Sequence, residues 1–274
     1  MNLFVTGATG FIGSHFLKVN KEHELTCLKR KESSPRVEIN KEYTWIIGEL
    51  NNFQFDHLEN KDALIHFAAH SPNPPYDSYE NCFYWNVLAT IQLFEEAFKK
   101  GIRKFIVAGT CFEYGKSGEN YDLIPIHAPL LPTSSYPASK AAASIMLSSW
   151  AKERNVQLKI LRIFQVYGEG ELQSRLWPSL KKAAKNGENF SLTKGEQVRD
   201  FISVSKVAEI FLDELDFGNM SESNLLIKNI GSGKPQSIKN FAEFWWRHWE
   251  AEGVLEFGKV PYRTGEVMRY VPKL

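Results

Sequence analysis

Tyr136 and Lys140 stand four residues apart with Pro137 between them, and of the ten tyrosines only Tyr136 has a lysine at that spacing. Proline is suited to a first helical turn, so a helix starting at Pro137 would set both side chains on one face. An ammonium beside a phenol favours the phenolate and lowers the phenol from its usual value of about 10, which makes an acid/base usable near neutral pH. Taken alone, such a pair is as compatible with a surface contact. A second candidate lies in Gly109-Thr110-Cys111-Phe112-Glu113-Tyr114-Gly115, which follows an apolar run ending at Ala108. There Thr110 offers a hydroxyl for a substrate oxygen, or simply a cap for a strand end. A third is Gly7-Ala8-Thr9-Gly10-Phe11-Ile12-Gly13, where three glycines recur every three residues. Between a strand and a helix, such a turn brings its backbone against a diphosphate, and the helix N-terminus supplies free N–H groups and a positive dipole end.

The elements that must hold these groups alternate along the first two thirds of the chain. Asn2–Thr6, Glu24–Leu28, Thr44–Ile47, Ala63–Ala69, Lys104–Gly109 and Gln157–Ile163 have strand character. Ser14–Asn20, Asn86–Lys100 and Ser139–Arg154 have helical periodicity. Repeated βα units predict a doubly wound parallel α/β sheet of Rossmann type, with right-handed crossovers. The last hundred residues change character. Trp177–Lys185, Lys206–Glu214 and the Phe- and Trp-rich Ile238–Trp249 read as helices, Glu196–Val204 is mixed, and Asn229–Gly233 is turn material. A dinucleotide-binding domain of residues 1–168 plus about 200–215 is therefore expected. A small C-terminal substrate-binding lobe of about 169–199 and 216–274 completes it. The rigid stretch Ser71–Ser78 falls after a strand, where ligands of such sheets bind.

Composition limits the partners. The chain has 274 residues, 43% hydrophobic and 24% charged, with a net charge of +1. That balance gives no electrostatic case for nucleic acid or an anionic membrane surface. No apolar run reaches the roughly 18 residues of a membrane span. Cys27, Cys82 and Cys111 are odd in number and lack metal-ligand spacing, so reduced thiols, no metal and a cytoplasmic location are expected.

The ordered motifs resemble those of the extended short-chain dehydrogenase/reductases, in the nucleotide-sugar epimerase/dehydratase/reductase family. Gly7–Gly13 resembles its GxxGxxG, His66-Phe67-Ala68-Ala69 its HxAA, and Trp85-Asn86-Val87 the start of its next helix. Thr110–Gly115 resembles its active-site turn, and Tyr136-Pro137-Ala138-Ser139-Lys140 is the YxxxK signature. Arg162–Gly168 resembles RxxNxYG, Arg199–Val204 resembles RDFxxV, and Asn229–Gly233 resembles the NxGxG turn. The resemblance implies an acid/base role for Tyr136. Lys140 would hold the nicotinamide ribose and tune Tyr136, and Thr110 would orient the reacting sugar oxygen. It implies cofactor contacts from Gly7, Gly10, Phe11, Ile12, Gly13, Glu49, Leu50, Phe67, Ala68, Ala69 and Ile163, besides Tyr136 and Lys140. Phe112, Glu113, Gln165 and Arg199 would meet the substrate, with Arg199 pairing to the diphosphate of a nucleotide-linked sugar.

Departures from the family pattern sharpen the expectation. The second strand ends in Leu28-Lys29-Arg30-Lys31, with no carboxylate before Glu32. Lys29 and Arg30 suit a 2′-phosphate, which favours NADP over NAD. Family dehydratases carry Asp-Glu directly after the active-site Thr, where this chain has Cys111-Phe112. Phe112 moves no proton, although Glu113 follows it. Gln165 replaces an Asn, which shifts an amide by one methylene. Relatives typically continue past the equivalent of Leu274, so the lid is expected to be short or the terminus cut. The leading expectation is an NADPH-dependent reductase of an NDP-4-keto-6-deoxyhexose. A 4-epimerase with tightly bound NAD is the first alternative, and a non-catalytic nucleotide-binding protein the second. A homodimer through Asn86–Lys100 and Ser139–Arg154 is expected from the family.

Overall fold

The computed structural model describes residues 1–218, 220, 224–263 and 265–274. In chain order the elements begin β1 (Asn2–Thr6), α1 (Phe11–Val19), β2 (Glu24–Lys29), β3 (Thr44–Ile47), β4 (Ala63–His66) and α2 (Tyr79–Phe83). One π turn over Tyr84–Leu88 continues directly into α3 (Ala89–Lys99). Then come β5 (Lys104–Thr110), α4 (Ser135–Arg154), β6 (Gln157–Ile163), β7 (Gln165–Tyr167), α5 (Leu176–Lys185), β8 (Phe190–Leu192), β9 (Val198–Ser203) and α6 (Val204–Asp213). The chain closes with β10 (Leu225–Ile230), β11 (Pro235–Ser237), α7 (Ile238–His248), β12 (Leu255–Phe257) and β13 (Arg269–Tyr270).

The main sheet has seven parallel strands in the order β10-β6-β5-β4-β1-β2-β3. Its central strands are apolar on both faces, as a sheet covered by helices on each side requires. Alternation then sorts the side chains. Leu3, Val5 and Ile106 face a core shared with Phe16 of α1 and Phe211 of α6. Phe4, Leu64 and Phe105 face the other, shared with Phe94 of α3 and Trp150 of α4. The chain leaves β1 towards β2 on one side and later returns to β4 on the other. This reversal opens a crevice at the carboxyl ends of β1 and β4.

The smaller part of the molecule carries its own sheet, in which β9 pairs with β11, β13 and β7. β8 and β12 form a separate pair. α5 and α7 enclose Leu180, Leu192 and Trp246. Residues 225–230, expected in this lobe, instead form the seventh strand of the main sheet, pairing with β6 over its whole length. The lobe boundary drawn from composition is corrected there. Leu225, Leu226 and Ile227 complete a sheet edge rather than a second core. Helix ends also move: α1 begins at Phe11 and α4 at Ser135, each earlier than periodicity alone suggested.

Phe94 is fully buried, stacks on Phe105 at 5.0 Å and meets Trp150 edge-on at 5.5 Å. Phe94→Ala should lower unfolding stability by about 3–5 kcal/mol through lost burial and a residual cavity, measured by urea denaturation.

Candidate active site

The glycine turn sits at the crevice and depends on close approach. Gly7 has φ +69°, and a Cβ there would lie 2.4 Å from the amide nitrogen of Ala68. A Cβ on Gly13 would lie 2.2 Å from the Gly7 carbonyl oxygen. The turn closes with Gly10 N–H donating to the Gly7 carbonyl at 2.9 Å. Gly10 caps α1 without a side-chain bond, and the first helical turn holds no acidic residue. The N-terminal end therefore keeps its N–H groups and dipole available to an anion. These features fit a dinucleotide diphosphate.

Other expected cofactor residues divide by position. Ala68 lies with its backbone on Gly7, and Ala69 follows it. The Phe67 ring packs on Phe16 and Phe211 at 5.3 and 4.6 Å, so it faces the core. Ile12 and Ile163 belong to that same core. The Phe11 ring meets His15 edge-on at 6.0 Å. Leu50 packs under the sheet, while Glu49 is exposed and bridges through its backbone to Asn52. At the end of β2, Lys29 Nζ stands 5.3 Å over the Trp45 ring, and Arg30 is exposed.

Thr110, Tyr136 and Lys140 lie on adjoining elements at the carboxyl end of the sheet. Thr110 ends β5 and starts a 3-10 turn over Cys111–Tyr114; its Oγ1 accepts from the Phe112 N–H at 3.3 Å. Its hydroxyl lies near enough to Tyr136 to favour the phenolate. Tyr136 and Lys140 lie in the first two turns of α4, 6% and 4% exposed. The helix start is fixed from outside: Ser135 Oγ donates to the Asp77 carbonyl at 2.6 Å. Ser139 Oγ donates to the Tyr136 carbonyl at 2.8 Å and accepts from Asn86 Nδ2 at 2.8 Å. Asn86, in the π turn, also holds the backbone of His70 through both amide atoms.

The electrostatics correct one expectation. Burial is the largest influence on Tyr136, followed by the Glu113 carboxylate, Tyr76 and Cys111; together they push the phenol up, against the Thr110 hydrogen bond. The net shift is opposite to the lowering expected from Lys140. Burial pulls the Lys140 ammonium down, opposed by Glu113. The Cys111 thiol, buried, is pushed up to about 12 and is inert as a nucleophile near neutral pH.

A cavity of about 480 Å³ adjoins this site, lined among others by Phe112, Gln165, Arg199, Tyr76, Arg263 and Tyr270. Three of the four expected substrate residues thus share one space. Arg199 is steadied by Nη2 donating to the Val267 carbonyl at 2.6 Å and pairing with Glu266 at 3.3 Å. Glu113 does not belong there. It is fully buried behind the turn, where Oε1 accepts from Thr110 N–H, and Oε2 from Ser144 Oγ and Arg162 Nε, all at 2.8–2.9 Å. Its assignment as a substrate contact is corrected, because a carboxylate with these partners has no face left towards the cavity. Tyr76 was not singled out, although its loop was. Its ring lies 5.5 Å from that of Tyr136. Arg263 and Tyr270 lie in a segment with no recognisable motif, so nothing in the sequence marked them.

The sequence model of the NAD dependent epimerase/dehydratase family matches residues 3–231, and the chain belongs to that family. It is 29% identical over 261 residues to a dTDP-D-glucose 4,6-dehydratase of Mus musculus, covering 88% of this chain and 71% of the other. Among solved structures, a UDP-N-acetylglucosamine 4-epimerase from Methanobrevibacter ruminantium M1, in complex with UDP-N-acetylmuramic acid, superimposes with TM-score 0.88 at 25% identity. That match covers 100% of this chain and 89% of the other. MoeE5 in complex with UDP-glucuronic acid and NAD gives TM-score 0.82 at 25% identity, covering 100% and 90%. No helix among the described residues is long and apolar enough to cross a membrane.

Two outcomes follow from this geometry. Gly7→Ala forces a Cβ against the Ala68 backbone in a positive-φ turn. It should cost about 1–3 kcal/mol and abolish the rise in melting temperature caused by NAD(H) or NADP(H), read by thermal shift. His66 is bonded to Thr6 Oγ1 at 2.8 Å and Thr90 Oγ1 at 3.3 Å; burial, then Lys140, lowers it to about 3. The folded chain keeps His66 neutral, whereas the unfolded chain protonates it near 6.5. Its contribution is whole above pH 6.5 and is lost as pH falls towards 3, at about 1.4 kcal/mol per pH unit. Denaturation midpoints across that range should show a shallower slope for His66→Gln.

Proposed function

We propose that this protein reduces the 4-keto group of a nucleotide-linked 6-deoxyhexose, with NADPH as the hydride source. The observation that carries this reading is a buried phenol held in its protonated form beside a Thr hydroxyl, while the carboxyl group of the turn, Glu113, is buried and bonded away from the cavity. A protonated phenol is a proton donor, which is what a ketone oxygen needs as it becomes an alcohol. A bound nicotinamide supplies the hydride. Tyr136 gives its proton to the sugar oxygen, Thr110 polarises that oxygen, and Lys140 stabilises the negative charge that develops. The Gly7–Gly13 turn and the α1 N-terminus hold the cofactor diphosphate. Arg199, in the cavity wall, suits the substrate diphosphate, with Gln165 and Phe112 beside the sugar. Lys29 and Arg30 at the end of β2 favour a 2′-phosphate. Phe112 disfavours loss of water, since the position lacks a proton-transferring group.

A second reading, 4-epimerisation with retained NAD, is favoured by the 4-epimerase named above and by MoeE5 with NAD. Here Tyr136 takes a proton and later returns it. The two differ in stoichiometry. A homodimer through the helical segments 86–100 and 139–154 is supported by the exposed apolar residues Leu88 and Ile145 on them.

With a panel of NDP-4-keto-6-deoxyhexoses, the protein should oxidise one NADPH per product, followed at 340 nm. Steady absorbance together with interconversion of 4-epimers would replace the first reading by the second. Tyr136→Phe should lower kcat by about 100-fold or more while leaving the NADPH-induced thermal shift in place.

A further inference from the structure

We propose that Glu113 is a positioning residue of this site, fixing the Thr110 backbone from behind and supplying the buried negative charge against which Tyr136 and Lys140 are set. The inference rests on the reading of Tyr136 as the acid. Tyr136, Lys140 and Ser144 follow one another at four-residue spacing and so line one stripe of α4. Glu113 docks on the end of that stripe through Ser144 Oγ at 2.8 Å. Its other oxygen takes the Thr110 N–H at 2.9 Å, in the same residue whose hydroxyl reaches Tyr136. Space is reserved for it: a Cβ on Gly109 would stand 2.9 Å from Glu113 Oε1. Arg162 pairs with the carboxylate at 2.9 Å, and its own Nη1 donates to Tyr114 Oη and the Ile126 carbonyl, each at 3.0 Å.

The groups facing Tyr136 are Glu113, Cys111 and the Thr110 hydroxyl from the turn after β5, and Tyr76 from the loop after β4. Lys140 lies one turn on in α4, with His66 of β4 beside it. Arg175 and Arg199 act on Cys111 and lie further out. Glu113 carries the carboxylate in this set, and it acts on both Tyr136 and Lys140. A fixed negative charge disfavours phenolate and favours ammonium. It therefore keeps the proton on Tyr136 and the charge on Lys140, against a burial that works on Lys140 in the other direction.

The test needs no substrate. Tyrosine labelled with ¹³C at Cζ reports phenol ionisation by NMR, and Tyr136→Phe identifies the Tyr136 signal. In Glu113→Gln the Tyr136 midpoint should fall by about one pH unit or more relative to the unsubstituted protein. Ser144→Ala removes one bond to the carboxylate but not its charge, and should leave the midpoint unmoved. Because Glu113→Gln strands a buried guanidinium, Glu113→Gln/Arg162→Met is measured alongside it and should show the same downward direction with a restored melting temperature. A midpoint in the folded Gln variants equal to that of the unsubstituted protein would overturn the proposal, as would an equal shift in Ser144→Ala. Loss of the Tyr136 acid role, judged by Tyr136→Phe turnover, is a separate result that this titration does not share.

Discussion

The site exists because two backbone segments touch. The amide of Ala68, just beyond β4, lies where a side chain on Gly7 would be. This contact can form only at the reversal of strand order, where β1 and β4 are hydrogen-bonded neighbours. It draws the first turn of the chain flat against the second βα connection, and α1 starts immediately behind it. Gly13 extends the constraint one helical turn on, by letting α1 press on the Gly7 carbonyl. The anion-binding end of α1 and the loop carrying Tyr76 are thereby held at one edge of the sheet. Everything placed on β5 and α4 is then measured from that edge.

Charge is buried there in quantity. Lys140 and His66 are neighbours, yet His66 stays neutral between two threonine hydroxyls, so this pair carries a single positive charge. Glu113 and Arg162 form a pair with almost no exposure. Such a pair contributes little net stability over apolar residues of the same shape, because both ions lose their water. Removing one partner is far costlier than removing both. A buried pair of this kind is better read as fixing a geometry than as adding stability. The geometry it fixes is the Thr110 turn and the middle of α4.

Much of this was legible from residue types. Strands with apolar residues on both faces could only build a covered parallel sheet, and the glycine spacing located its crevice. Tyr136, Lys140 and Thr110 stand out in the sequence because their motifs are local, each confined to a few residues. What stayed hidden depended on contacts between distant segments. β10 reads as turn and lobe because β6, the strand it pairs with, lies nearly seventy residues earlier. Glu113 reads as a substrate ligand because it sits in the active-site turn. Its bonds to Ser144, 31 residues on, and Arg162, 49 residues on, turn it inward. The sign of the Tyr136 shift was missed for a related reason. The sequence shows the ammonium one turn away but not the burial, and burial dominates.

The turn that carries Thr110 is also gripped from the lobe side. Tyr270 of β13 donates its hydroxyl to the Cys111 and Gly115 carbonyls, at 3.0 and 3.2 Å, and its ring fills the space that Gly118 leaves open. Tyr114, in the same turn, donates to Asn229 Oδ1 at 2.7 Å, and Asn229 Nδ2 donates to the Ile124 and Lys273 carbonyls. The last strand of the lobe and the last strand of the main sheet thus meet at one short helical turn. Tyr270 lines the cavity beside Arg199, so a ligand there touches a residue that holds the turn. Glu113 fixes the turn from the sheet side and Tyr270 from the lobe side. A hydroxyl clamped between them has little freedom to follow a substrate. On the proposed reading, the reacting oxygen comes to Thr110 and Tyr136, and alignment is set by the protein before binding.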